Sequence, residues 1–263
     1  MLRDGAAWNG DASEPLASAS SHYEAAIRKA VSAIDFEAAV REFRENGEFI
    51  FIPQLLPQEL TDIMVEETRS FTSDEIHRIY LPWIRKAGTV GQRAIARKAP
   101  LLYALYRSPS VLELATRFSS APLAWKNDDD AHAAALYIYR RPGDRVTFHY
   151  DDCGCEGGAS YTATFGVINR TTSKVHFQLF RNAQDRAMKE LYISMVPGSF
   201  VFFCGSKAYH RVTPLGPNEE RVTYSFAYVR EGKRLTGLRR FTENIKDAVL
   251  YFGAKAIFQR NYG

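Results

Sequence analysis

His149-Tyr150-Asp151 sets an imidazole and a carboxylate two residues apart, inside the stretch 142–158. On an extended backbone, residues two apart point to the same face. The pair therefore presents two donors side by side. That is two-thirds of the 2-His-1-carboxylate set, which leaves open positions on a non-haem Fe(II). His-x-Asp recurs by chance in chains of this length, so the reading needs a second histidine. His210 supplies one, in Gly205-Ser-Lys-Ala-Tyr-His-Arg-Val-Thr-Pro, at the start of a new strand after an apolar run ending at Cys204. His176 lies in the alternating run 175–180 without an anchoring motif, and reads as a structural residue or one supporting the ligands from behind.

A second constellation follows. In Glu220-Arg-Val-Thr-Tyr-Ser-Phe-Ala, alternation puts Arg221, Thr223, Ser225 and Ala227 on one face and Val222, Tyr224, Phe226 and Tyr228 on the other. The first face is small and polar apart from one guanidinium, a poor core face and a good pocket wall. A fixed guanidinium with a neighbouring hydroxyl suits bidentate capture of a carboxylate. An arginine among apolar neighbours is costly without an anion, and no acidic residue of the local sequence supplies one.

The elements that must position these groups are of two kinds. Short aromatic or β-branched runs at 136–139, 145–150, 161–168, 175–180, 191–195, 200–203 and 221–229 alternate between Pro-Gly and Gly-Gly turns. Strands at this spacing predict a jelly roll or related two-sheet barrel. Before them the pattern is helical. Ile27, Val31 and Ile34, then Ala38, Val40 and Phe43, recur at helical steps, followed by a short strand at 49–52. Helices are also expected from Pro57, over 100–107 and over 108–118. Residues 1–20 read as a flexible tail, and 21–263 as a single domain: helical over 21–120, a β-barrel over 121–230, a C-terminal amphipathic helix within 240–263. The basic, glycine-interrupted stretch 72–98 reads as a solvated loop and a candidate lid.

Composition narrows the class. With 263 residues, 46% hydrophobic and 13% aromatic, the chain has ample material for one core. A formal net charge of +4, from 34 basic against 30 acidic residues, argues against a nucleic-acid partner. Three cysteines, Cys153, Cys155 and Cys204, predict free thiols in a reducing compartment, and no second pair accompanies Cys153-x-Cys155 for a structural zinc. Neither an apolar leader nor a membrane-length apolar stretch is visible, so the expected location is cytoplasmic, with no membrane partner.

Taken together, His149-x-Asp151, His210 and Arg221-x-Thr223 resemble the Fe(II)/2-oxoglutarate-dependent oxygenases. The resemblance implies an α+β fold: a double-stranded β-helix, jelly-roll or cupin-like, with packed N-terminal helices. It implies that His149, Asp151 and His210 hold iron and serve catalysis. Arg221, with Thr223, would bind the far carboxylate of 2-oxoglutarate, with O2 the third reactant. From about Gly88 to the C-terminus the chain also resembles the carrier-independent amino-acid halogenases and their hydroxylase relatives. That likeness rests on Arg93, Lys98-Ala-Pro100, Tyr106-Arg-Ser-Pro, Gly143-Asp144, the segment from His210 to Arg221 and the segment 244–253. Halogenases of that family replace the ligand aspartate by a small residue that admits chloride. Asp151 is retained here, which implies hydroxylation of an unactivated C–H bond in a small free substrate, an amino acid. Arg93 would meet the substrate carboxylate and Asp152 a cationic amine. His132 stands where a lysine-recognising member would place an acid, and Ser225 and Ala227 widen the wall. A monomer or homodimer is expected. Two other readings stay open: the same chemistry (hydroxylation, desaturation or cyclisation) on a nucleoside, nucleotide or natural-product intermediate, with the 85–98 cations meeting phosphate, or a non-catalytic metal-binding barrel.

Overall fold

Helical periodicity in the first half and twofold alternation in the second become two layers. The computed structural model describes residues 13–81, 83–126, 130, 133–151, 160–233, 242 and 245. The helices are α1 (Ser13–Ser32), α2 (Phe36–Glu45), α3 (Gln58–Arg69), α4 (Gln92–Lys98), α5 (Pro100–Arg107) and α6 (Pro109–Ser119). Two of them start on side-chain caps: Asp35 accepts from the Ala38 amide, and Ser108 from the Val111 amide. Pro100 and Pro109 open α5 and α6, where a missing N–H costs nothing. α1 begins well before Tyr23. Residues 13–20, read above as tail, hold three serines and two alanines and form its first turns, with no apolar stripe to announce them.

The strands are β1 (Phe49–Ile52), β2 (His77–Leu81), β3 (Arg85–Gly91), β4 (Leu123–Trp125), β5 (Ala134–Tyr139), β6 (Arg145–His149), β7 (Ser160–Arg170), β8 (Val175–Leu179), β9 (Lys189–Ile193), β10 (Phe200–Cys204), β11 (Tyr209–Val212) and β12 (Glu220–Arg230). They run in the order β1-β10-β7-β12-β5-β3-β6-β11-β8-β9, with β2 on β3 and β4 on β12. Every described pairing is antiparallel. The sheet curls at β3, which pairs with β5 over Gly88–Gly91 and with β6 at Arg85 and Lys86. One wall is then β1, β10, β7, β12 and β5, and the facing wall is β6, β11, β8 and β9. Phe203 of the first meets Phe177 of the second edge to face, with ring centroids 5.4 Å apart. This is the double-stranded β-helix expected from the sequence, an α+β fold with helices packed on one wall.

Alternation sorts the first wall into two faces. Val222, Tyr224, Phe226 and Tyr228 of β12, Tyr161, Ala163 and Phe165 of β7, and Phe200 and Phe202 of β10 join the core under the helices. There Phe43 stacks on Phe118 and Phe202 at 5.4 and 5.6 Å between centroids. Burying each such aromatic contributes roughly 1.5–3 kcal/mol. The opposite face of the same strands looks inward across the barrel.

The stretch 72–98 is not a loop. It forms the β2–β3 hairpin and α4, and β3 is buried along most of its length. Its glycines disguised it: at Gly88 a Cβ would stand 2.7 Å from the Ile76 side chain and 3.3 Å from the Ile138 carbonyl oxygen, so only glycine allows the strands to approach. The hairpin tip is exposed, with Trp83 86% accessible. Cys204 is buried and free, whereas Cys153 and Cys155, and all of the expected C-terminal helix except residues 242 and 245, lie outside the described residues.

Candidate metal and carboxylate site

His149 ends β6 and His210 lies on β11, directly opposite it in the antiparallel register. Their ring centroids are 4.3 Å apart. Each ring is anchored through Nδ1 to a backbone carbonyl: Thr147 at 2.9 Å for His149 and Ala208 at 3.0 Å for His210. A carbonyl only accepts, so both Nδ1 atoms carry the proton and both Nε2 atoms turn a lone pair inward. The Asp151 Oδ1 sits 3.4 Å from His149 Nε2 and 3.7 Å from His210 Nε2. One donor atom from each of the three residues falls within 4.8 Å of the others.

Asp151 is seated by the next turn. Its amide donates to the Gly205 carbonyl at 3.1 Å. A Cβ on residue 205 would come within 2.8 Å of the Asp151 carbonyl oxygen and 2.9 Å of its Cβ, so glycine is required for the seat. The electrostatics of the cluster follow from proximity. Burial raises the Asp151 carboxyl, but the charges and hydrogen bond of the two imidazoles outweigh it and hold the group well below the usual carboxylate range. His149 is raised, burial being overcome by Asp151. His210 is pushed down to about 4 by burial and by the like charge of His149. A neutral imidazole with Nε2 free to donate and an ionised carboxylate are the forms that bind a cation.

The cavity above these groups has a volume of about 340 Å³ and is lined from both walls. From β12 it receives Arg221, Thr223, Ser225 and Ala227, the polar face read from alternation. Arg221 is 2% exposed. Its Nε and Nη1 find no hydrogen-bond partner among the described residues, and the guanidinium lies over the Tyr139 ring at 5.5 Å. Burial lowers its pKa. A buried cation in this state implies an external anion, and the three donors opposite fit a divalent ion, so both groups implied above have residues shaped for them.

The expected substrate residues separate. Ser225 lines the cavity, where its hydroxyl and that of Thr164 are 2.9 Å apart. Arg93 is half-buried on α4 and is not a lining residue, because β3 ends at Gly91 and the chain has turned into the helix. Arg85, at the start of β3, lines the cavity instead: buried, over the Tyr137 ring at 4.5 Å, with Nη2 donating to Thr89 at 2.7 Å. Sequence reading passed it over as one cation among many in a loop. The signal was the alternation Arg85, Ala87, Thr89. His132 and Asp152 lie outside the described residues. His176 is on the outer side of its wall, stacked on Tyr192 at 4.1 Å and accepting from Arg211, which fits the structural role expected.

A curled antiparallel barrel of this kind defines a fold class, the double-stranded β-helix. No protein-family profile and no curated protein sequence matches the chain. Solved structures do. The chain is similar to the α-ketoglutarate-dependent epimerase SnoN of nogalamycin biosynthesis, with 15% identity, TM-score 0.61, and 77% of this chain and 86% of that one covered. It is similar to the carbocyclase SnoK of the same pathway, with 14% identity, TM-score 0.62 and coverages of 81% and 91%. It is also similar to a prolyl hydroxylase of Trichoplax adhaerens bound to a peptide fragment, with 14% identity, TM-score 0.61 and coverages of 81% and 94%. Likeness at this identity is likeness of fold.

Proposed function

We propose that this chain is an Fe(II)- and 2-oxoglutarate-dependent oxygenase acting on a small molecule. The observation that carries the reading is Arg221: a buried guanidinium with unpartnered nitrogens, on the same cavity as His149, Asp151 and His210. Metal ligands alone fit many barrels. A metal cluster faced by a cation that needs a carboxylate fits a metal-chelating dicarboxylate.

In this reading His149 Nε2, His210 Nε2 and one Asp151 oxygen hold Fe(II), while Arg221 and the adjacent Thr223 pair with the far carboxylate of 2-oxoglutarate. Metal and co-substrate held there would supply O2-dependent oxidation of a C–H bond coupled to conversion of 2-oxoglutarate to succinate and carbon dioxide. The chain's contribution is positional. The two anchored imidazoles hold their lone pairs on one point. Retention of Asp151 favours hydroxylation over halogenation.

The substrate we assign is a free amino acid, on the halogenase/hydroxylase resemblance. Of the cations that would meet phosphate in the nucleotide alternative, Lys98 is paired with Glu75 at 2.7 Å, whereas Arg85 lines the cavity and is the observation that favours that alternative.

The test is anaerobic addition of Fe(II) and 2-oxoglutarate, watching for the visible charge-transfer band of an Fe(II)–2-oxo acid chelate. A screen of free amino acids for succinate formation, with product mass read in the same assay, follows. A band with Fe(II) and 2-oxoglutarate together, and a product heavier by one oxygen, is expected. Bound iron without band or succinate would leave a non-catalytic metal barrel.

A further inference from the structure

The three candidate ligands come from one wall of the barrel, yet one of them is fixed from the other. Thr162, on β7 between Phe203 of β10 and Ala227 of β12, turns its hydroxyl across the cavity and donates to Asp151 Oδ2 at 2.5 Å. The other oxygen, Oδ1, is the one within 3.4 and 3.7 Å of the two imidazole Nε2 atoms. The two carboxylate oxygens are thus divided: Oδ2 is held by a hydroxyl on the helix-backed wall, and Oδ1 is aimed at the point where both lone pairs converge. Its neighbour on the same face does something else, since the Thr164 hydroxyl is engaged with Ser225. On the backbone side, the close approach of Gly205 leaves Asp151 no slack to move away.

We infer that Thr162 is a positioning residue that makes Asp151 a one-oxygen ligand, and that through it the helix-backed wall sets the orientation of the metal site. This rests on the metal reading above. A hydroxyl donated to Oδ2 occupies one of its lone pairs, disfavours a two-oxygen chelate and restrains rotation of the carboxylate. Without it, the carboxylate is free to swing and the three donors no longer converge. Partners one step beyond a ligand typically contribute 10–100-fold to metal affinity.

The experiment uses Co(II) as the probe, titrated into the full chain and read by its visible d–d absorption, which reports both affinity and coordination number. Thr162→Val keeps the shape and β-branching of the residue but removes the donor, and Thr162→Ser keeps the donor. Expected are about tenfold or greater weakening of Co(II) binding with an altered band for Thr162→Val, and near wild-type affinity and spectrum for Thr162→Ser. Thermal melts of the metal-free variants at the wild-type temperature would show that the fold is intact. Wild-type affinity and an unchanged spectrum in Thr162→Val would overturn the inference while leaving the metal site standing. Equal loss in Thr162→Ser would also overturn it, by tying the effect to packing. A wild-type chain that does not bind Co(II), with His149→Ala indistinguishable from it, would remove the metal reading and this inference together.

Discussion

The two walls of the cavity handle charge in opposite ways. On the β6–β11 wall, His149, Asp151 and His210 gather one donor atom each around a single point, and both rings are tied to backbone carbonyls. On the β12 wall, Arg221 is buried with two nitrogens lacking a partner among the described residues. The first wall is assembled before any ligand arrives. The second is complete only with an anion in place. A group held by its neighbours can be removed only at a cost to the site, whereas a group waiting for a ligand costs the empty protein something to keep. Under the proposed function, metal binding belongs to the first wall and co-substrate binding to the second.

The largest effect should come from emptying the first wall. His149→Ala or His210→Ala should abolish Fe(II) binding and succinate formation, and a variant with wild-type turnover would sink the ligand assignment. Asp151→Gly should likewise lose hydroxylation, and chlorination appearing with added chloride would support the halogenase kinship. Arg221→Leu should separate the walls. We expect the 2-oxoglutarate KM to rise on the order of 100-fold, the loss of a charge-assisted pair of about 2–3 kcal/mol, while metal affinity holds and the metal-free melting temperature stays level or rises. A drop in melting temperature with an unchanged KM would reverse the roles of the two walls.

A third test sets both walls against a buried charge outside them. Glu67 on α3 accepts from the Leu101 and Leu102 amides at 2.7 and 3.0 Å, and burial pushes its carboxyl up to about 7 from 4.5 despite those donors. The folded state then binds the proton more tightly than the unfolded one. Its contribution is fully present below pH 4.5 and is lost as pH rises to about 7. Stability should fall across that window by on the order of 2–3 kcal/mol, and Glu67→Gln should flatten the slope in denaturant titrations at several pH values. The same slope in the variant would refute the assignment. The smallest effect is expected at Ser225, whose hydroxyl is shared with Thr164. Ser225→Ala should change substrate KM by a few-fold at most, about 1 kcal/mol or less, with 2-oxoglutarate KM unmoved.

What was legible in the sequence was whatever alternation expressed. β12 announced itself because one face is aromatic and the other small and polar, and the structure puts those faces on the core and the cavity. His149-x-Asp151 and His210 were readable because few residue types can hold a metal. β3 was hidden by Gly88, Gly91 and its cations, which read as loop until the close strand packing that demands glycine is seen. Arg85 and Arg93 could not be ranked without knowing where the strand stops. Thr162 carries no signal of its own, since threonine is common in strands and its partner comes from the opposite wall.

The two-faced β12 also has a thermodynamic consequence. Tyr224 and Phe226 are locked into the helix-backed core, while Arg221 and Thr223 line the cavity from the same strand, where the proposed co-substrate would meet them. A ligand that binds only the intact strand stabilises everything packed behind it, by RT ln(1 + [L]/Kd), about 2.7 kcal/mol at a hundredfold excess over Kd. No described helix residue lines the cavity, yet under the proposed function the helices' resistance to heat and protease should track co-substrate concentration, so melting curves become a gauge of cavity occupancy.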